Sequence, residues 1–212
     1  MHVFIAGANG QIGQYLLQEM AESDHEARAL IRDPEQGPKL QQLGATETVV
    51  GDLEKDCSEA MRGCDAVIFT AGSGPHTGPD KTIDVDQDGA IRLMDTAKSM
   101  GIKRFIMVSA MRAEEPDKGP EKLRHYLWAK RKADDHLRSC GLDYTIVRPG
   151  RLTNEDGTGE VEVRHRLMEF GEIPRQDVAR VLLAVLDSDN TSNCVFDVVS
   201  GDVPITEALA KL

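Results

Sequence analysis

The chain opens MHVFIAGANGQIG, and no other stretch constrains its fold as strongly. A short apolar run, Val3 to Ala6, leads into glycines spaced three apart, Gly7, Gly10 and Gly13. Ile12, Leu16 and Met20 then recur at helical spacing. The pattern is a strand, a tight turn and a helix. Gly7 lets the backbone turn where a side chain would clash, Gly10 admits close approach of a ligand, and Gly13 lets the helix pack on its strand. The free N–H groups and positive dipole end of such a helix suit a pyrophosphate. Asn9, Gln11 and Ile12 belong to the same corner and are candidate contacts for it. A glycine-rich turn without a ligand is the alternative; the flanking strand and helix are the context that dinucleotide binding requires.

The remainder of the 212 residues repeats this alternation. Strands are expected near 3–6, 27–31, 46–50, 66–70, 104–108, 144–147 and 194–199, with helices near 11–22, 34–43, 55–62, 82–100, 120–140 and 175–187. Short apolar strands joined by crossover helices predict an α/β fold with a doubly wound parallel sheet covered on both faces, the dinucleotide-binding Rossmann arrangement. The length suits a single domain over residues 1–212. Residues 150–170 carry no strong pattern, so 150–174 is expected to form a small substrate-side subregion. Two loops interrupt the rhythm, GSGPHTGPDK at 72–81 and AMRAEEPDKGPE at 110–121. Both follow the carboxyl ends of strands, where open α/β sheets bind ligands, so both are candidate walls of a site.

The net charge of −11 argues against nucleic acid and anionic lipid as partners, since neither phosphate backbone nor headgroup attracts an acidic chain. No run is apolar enough to span a membrane and no charged leader precedes the first strand, so a cytoplasmic protein is expected. Cys57, Cys64, Cys140 and Cys194 form no C-x-x-C pair and no His/Cys cluster of metal spacing. They are expected to be reduced structural thiols, with no metal site.

The end of the second strand bears on the choice of dinucleotide. An acid there commonly binds a ribose 2′-OH, whereas this chain has Arg32 followed by Asp33. A guanidinium grips a 2′-phosphate bidentately, which favours NADP(H) over NAD(H). The alternative is a solvated Arg32 with Asp33 serving NAD. Lys39 is either a second cation for the phosphate or a surface residue of its helix. Asp52 and Leu53 follow the third strand, at the adenine side; Asp52 either accepts from the adenine amino group or caps a turn. Ala71 and Gly72 follow the fourth, where bare backbone lies beside a ribose.

The segment HYLWAKRKADDHL places Tyr126 and Lys130 four apart, on one face of a helix. A nearby ammonium lowers the pKa of a phenol, which fits Tyr126 to move a proton in a hydroxyl–ketone interconversion, with Lys130 also reaching the nicotinamide ribose. Ser109 ends the fifth strand in IMVSA, at the edge where a substrate oxygen would sit, and Arg148-Pro149-Gly150 follows the sixth. His125 and His136 share the helix without a metal-type partner, His76 reads as a solvent-exposed loop residue, Trp128 as packing, and Glu114, Glu115 and Asp117 as solvated loop.

Together, GANGQIG, Ser109, YLWAK and RPG resemble the short-chain dehydrogenase/reductase superfamily over essentially the whole chain. More narrowly, the chain is similar to its atypical members near the NAD-dependent epimerase/dehydratase type, including NmrA-like and biliverdin-reductase-B-like proteins. The resemblance implies Tyr126 as acid/base, Lys130 as its activator and ribose ligand, Ser109 as the substrate-oxygen partner, and Pro149 and Gly150 wrapping the nicotinamide. It also implies a homodimer through the helices near 82–100 and 120–140, for which the sequence shows no strong exposed stripe. Two departures stand out. The family's catalytic Asn, before a Gly in the fourth crossover, falls at Asp86 in DVDQDG, and a carboxylate cannot donate as an amide does. The large substrate domain of extended enzymes is mostly missing after Gly150. The expected activity is therefore an NADP(H)-dependent oxidoreductase or epimerase acting on a small carbonyl or hydroxyl compound. The alternatives are a non-catalytic NADP(H)-binding sensor, or a flavin, quinone or tetrapyrrole reductase that does not use Tyr126.

Overall fold

In the computed structural model, which describes residues 1–72 and 78–212, the strand β1 (His2–Ala6) runs through the middle of the molecule. Its side chains alternate between the two faces of the sheet, and both faces are apolar because both are covered. Val3 and Ile5 join one hydrophobic core, with Leu16, Leu17, Val181 and Val185. Phe4 and Ala6 join the other, with Leu93, Met94, Ala133 and Leu137.

The chain continues through α1 (Gln11–Ala21), β2 (Glu26–Ile31), α2 (Gly37–Gln42), β3 (Glu47–Val50), α3 (Ser58–Met61) and β4 (Ala66–Phe69). A further helical segment comprises α4 (Pro79–Lys81), a π-helical stretch (Thr82–Gly89) and α5 (Ala90–Ser99). It leads to β5 (Arg104–Val108), α6 (Arg124–Ser139) and β6 (Asp143–Pro149). The last part holds β7 (Arg151–Thr153), β8 (Glu160–Arg164), β9 (Glu172–Pro174), α7 (Arg175–Leu186), β10 (Cys194–Ser200), β11 (Val203–Pro204) and α8 (Ile205–Leu209).

The main sheet has the order β11-β8-β10-β6-β5-β4-β1-β2-β3. From β3 to β10 every pairing is parallel, as expected of a Rossmann sheet. The chain winds outward in one direction over β2 and β3 and in the other over β4, β5, β6 and β10, so the order reverses beside β1. That reversal opens a crevice at the carboxyl ends of β1 and β4, directly above the glycine turn.

The sheet departs from the all-parallel expectation at one edge. β8 and β11 add antiparallel strands beyond β10. In β8, Val161 and Val163 are buried while Glu160, Glu162 and Arg164 are exposed, a period-two signal hidden in the stretch read as unpatterned. β7 and β9 pair separately as a two-stranded parallel sheet, so 150–174 supplies one strand to the main sheet and two to a small one. The helix expected at 82–100 begins as a π-helix instead. A Cβ on Gly89 would lie 3.3 Å from the Leu53 side chain, so glycine lets this widened turn pack on the Asp52–Leu53 corner. The helix expected at 55–62 shortens to α3, which follows a turn in which Asp56 accepts from the Ser58 amide at 2.9 Å. Among the described residues no helix is long and apolar enough to cross a membrane. All four cysteines are free and buried.

Candidate active site

The glycine turn is built as its spacing predicts. Gly7 adopts φ +94°, and a Cβ there would lie 2.4 Å from the Ala71 amide nitrogen. A side chain at Gly7 would push the turn off the end of β4. Gly13 is not exposed to a ligand; its Cβ would strike the Gly7 carbonyl at 2.4 Å, so it seats α1 on the turn. Gly10 forms the N-cap of α1 with no side chain capping it, and no acid stands in the first turn. The amides that open α1 thus present donors and a positive dipole end to the crevice.

These residues form one wall of a cleft of about 800 Å³, within the usual range for ligand sites of roughly 300–1,000 Å³. Gly7, Asn9, Gly10, Gln11 and Ile12 line it beside Arg32, Asp52, Leu53, Ala71 and Gly72. Asp86, Ser109, Tyr126 and Lys130 line it further along. Pro149 and Gly150 do not. Pro149 is a buried residue of β6 paired with Val198, and a Cβ on Gly150 would meet the Gly171 carbonyl at 2.3 Å. Pro149 belongs to the main sheet and Gly150 packs against Gly171, so neither walls the cleft.

At the end of the cleft beside β2 and β3, Arg32 is exposed and Asp33 is engaged elsewhere: its carboxylate accepts from the Glu35 amide at 2.9 Å and caps the turn leading to α2. Asp52 caps its own turn through the Glu54 amide at 3.0 Å while still lining the cleft.

At the other end the charges are buried. Lys130 and Asp86 are 3% and 1% exposed, with Nζ and Oδ1 3.0 Å apart. Lys130 also donates to the Val108 carbonyl at 3.2 Å, and its Nζ lies 5.6 Å from the centre of the Tyr126 ring. Burial works against the ammonium, but Asp86 outweighs it, with Tyr126 and Asp134 adding, and Lys130 is held above its ordinary pKa. Lys130 lowers the Tyr126 pKa as expected, but the net direction is upward. Burial pushes Tyr126 up, Lys130 pulls against that, and the negative charges of Asp86 and Asp134 reinforce the rise. The ammonium has a carboxylate against it, so its field at the phenol is largely cancelled.

Behind Ser109 lies a second buried charge network. Asp134, 0% exposed, accepts from Arg148 Nε at 3.0 Å and Nη2 at 2.7 Å. Arg148 Nη1 donates to Glu114 at 3.0 Å, and Glu115 pairs with Arg166. Burial raises the Asp134 pKa against the pull of Arg148. Ser109 Oγ has no well-aligned hydrogen-bond partner among the described residues, yet it lies near enough to Asp134 to help hold the carboxylate ionised. Glu114 and Glu115 are therefore not solvated loop residues; they lock 110–121 onto the sheet. Asp117 accepts from Trp128 Nε1 at 3.1 Å, and Trp128 is 44% exposed rather than packed in the core.

Sequence reasoning missed Lys81, Thr82, Lys122, His125, Leu152 and Arg175, which also line the cleft. His125 adjoins Tyr126, so a cleft wall reaching α6 could have included it. Arg175 follows a strand too short to announce itself and carries no local signal. His136 bonds Asp95 at 2.8 Å, away from the cleft, and His76 lies outside the described residues.

Residues 7–189 match the family model described as NAD(P)H-binding. The chain is 50% identical over 216 residues to the uncharacterized sugar epimerase YhfK of Bacillus subtilis, covering both proteins completely. It is 30% identical to sanguinarine reductase of Eschscholzia californica, over 97% of this chain and 91% of that protein. The solved structure of a candidate NAD-dependent epimerase/dehydratase from Bacillus halodurans superposes with a TM-score of 0.98 at 49% identity, covering both chains fully.

Proposed function

The chain belongs to the NAD(P)H-binding family, and on that premise we propose that it is an NADP(H)-dependent reductase of a small carbonyl compound, with Tyr126 as proton donor. The observation that carries this reading is the shared cleft: a glycine turn with uncapped amides, Arg32 at the end beside β2 and β3, and Ser109, Tyr126 and Lys130 at the other. The residues present fit a dinucleotide, because bare backbone at Gly7 and Gly10 leaves room where a pyrophosphate would lie and the uncapped opening of α1 supplies donors. When bound, the nicotinamide supplies the hydride.

The chain's own residues supply the rest. Tyr126, held protonated by burial and by Asp86, donates its hydroxyl proton to the carbonyl oxygen as hydride reaches the carbon. A phenol with a raised pKa is protonated at neutral pH, so Tyr126 begins the cycle as the donor that reduction needs. Ser109, at the end of β5, holds the same oxygen. Lys130 orients Tyr126 and reaches the ribose, while Asp86 fixes Lys130. Asp33 is committed to its turn, and among the described residues the exposed Arg32 meets no carboxylate, which supports NADP(H) over NAD(H).

A second reading has its own support. Because Asp86 cancels much of the Lys130 charge, Tyr126 is not activated as a base, as suits a flavin or quinone reductase that uses the open cleft without a proton relay. One set of steady-state assays separates the two. NADPH and NADH are compared on wild type and Arg32→Asp, then carbonyl and free flavin substrates on wild type and Tyr126→Phe. The proposal expects NADPH preference in wild type, its loss in Arg32→Asp, and a fall of about a hundredfold or more in carbonyl turnover for Tyr126→Phe. Flavin reduction that survives Tyr126→Phe, without carbonyl turnover in wild type, would establish the second reading. Equal use of both dinucleotides by wild type would remove the NADP assignment.

A further inference from the structure

The cations of the cleft are not equivalent. Lys81 is paired with Glu54 at 2.6 Å and Lys130 with Asp86 at 3.0 Å. Arg32, Lys122 and Arg175 also line the cleft and, among the described residues, meet no carboxylate; of these, Arg175 is the one tied to the glycine turn. It is the first residue of α7, and its Nη1 donates to Asn154 Oδ1 at 2.6 Å. The same oxygen accepts from Gln11 Nε2 at 3.4 Å. Gln11 is the first residue of α1, so one amide oxygen ties the guanidinium to the mouth of the glycine turn.

This placement is braced from behind. The Gly157 amide donates to Gln176 at 3.0 Å, and those of Thr158 and Gly159 donate to Asp177 at 2.9 Å each. Gln176 and Asp177 sit in the first turn of α7, so the loop carrying Asn154 is fastened to the helix that carries Arg175. Arg180, one turn on, bonds Glu19 of α1 at 3.0 Å. Four contacts thus fix the loop and the two helices as one unit beside the cleft.

We propose that Arg175 clamps the pyrophosphate of the dinucleotide, supplying the full positive charge that the backbone amides of the glycine turn lack. The inference rests on the reading that the cleft holds a dinucleotide. A guanidinium has five N–H donors, of which Asn154 engages one, and its fork matches two phosphoryl oxygens. In a chain of net charge −11, an unpaired arginine at an anion cradle offsets the surrounding negative potential. Its tie to Gln11 places it at the glycine turn rather than beside Tyr126, so the anion it meets belongs to the cofactor and not to the substrate. The clamp joins the two ends of the chain in one binding act: α1 opens the fold and α7 closes over the same phosphates.

The test is fluorescence titration of wild type, Arg175→Gln, Arg175→Lys and Asn154→Ala with NADPH, and competition by 2′-AMP, which carries the 2′-phosphate but no pyrophosphate. Thermal melts show that each variant is folded; if Arg175→Gln is not, Asn154→Ala carries the test. Arg175→Gln is expected to weaken NADPH binding about ten- to hundredfold, the loss for a charge-assisted contact. Lysine restores part of it, Asn154→Ala loses less, and 2′-AMP affinity stays unchanged throughout. Unaltered NADPH affinity in folded Arg175→Gln and Asn154→Ala would overturn the proposal. So would an equal loss for 2′-AMP, or a rise confined to the substrate KM, which would assign Arg175 to the substrate. Failure of wild type to bind either NADPH or NADH would instead remove the underlying reading of the cleft.

Discussion

The two ends of the cleft are built from different materials. The nucleotide end is made of backbone: Gly7 at φ +94°, the uncapped opening of α1, and the bare chain at Ala71 and Gly72. The chemical end is made of buried charge: Asp86 against Lys130, and Asp134 against Arg148 with Glu114 behind it. Backbone recognition needs space and tolerates no added atom. Buried charge needs partners and tolerates no missing one. Their failures under substitution should therefore differ in kind: crowding at one end, an orphaned ion at the other.

The largest effect is expected at the chemical end. Asp134→Ala strands the Arg148 guanidinium in a buried site and should destabilise the fold by about 3–5 kcal/mol, measured by denaturant unfolding. A loss below 1 kcal/mol would mean that the network is not a single buried unit, and the contrast between the two ends would collapse.

The nucleotide end comes next. Gly7→Ala forces a methyl into the Ala71 amide and a left-handed backbone onto alanine, which should cost about 1–3 kcal/mol. The same change should abolish measurable NADPH binding in the protein that remains folded, because it displaces the turn itself. Retained affinity would show that the backbone there is softer than its contacts imply.

The subtlest readout, a shift in a pH profile, sharpens the comparison most. Asp86→Asn keeps an acceptor beside Lys130 but removes the negative charge, so the Tyr126 pKa should fall. Carbonyl reduction needs protonated Tyr126 and is lost as pH rises through its pKa. That pKa is raised in the native protein, so the basic limb of the rate profile lies above the ordinary tyrosine range. In Asp86→Asn the limb should move to lower pH, and the reverse oxidation should gain. A pH–rate profile of kcat/KM that does not move would exclude Asp86 from tuning Tyr126.

The same division explains what the sequence could and could not say. The parallel strands from β1 to β6, with β10, were legible because each is a short apolar run between helical patterns. The glycine turn was legible because its logic is local: spacing, sterics and one helix end. Ser109, Tyr126 and Lys130 were placed on one cleft by strand end and helical spacing, and the structure brings them together. The sign of the Tyr126 shift was not legible, since it depends on Asp86 reaching Lys130 from a helix some forty residues earlier in the chain. The acidic loop likewise looked solvated until Arg148 and Arg166 arrived from other elements. β8 and the small sheet escaped because five- and three-residue strands leave little room for periodicity to declare itself. Arg175 escaped with them.

The π-helical stretch over Thr82–Gly89 gives the molecule an adjustable joint. Its hydrogen bonds span one residue more than those of an α-helix, so the segment accommodates an extra residue without breaking the rod it belongs to. Removing one residue there would restore ordinary winding while the flanking segments keep their faces. Asp86 sits within that stretch, and a single codon gained or lost would turn it away from Lys130. A lineage built on this scaffold could thus switch the charge beside its tyrosine by indel rather than by substitution, leaving the sheet and its glycine turn untouched.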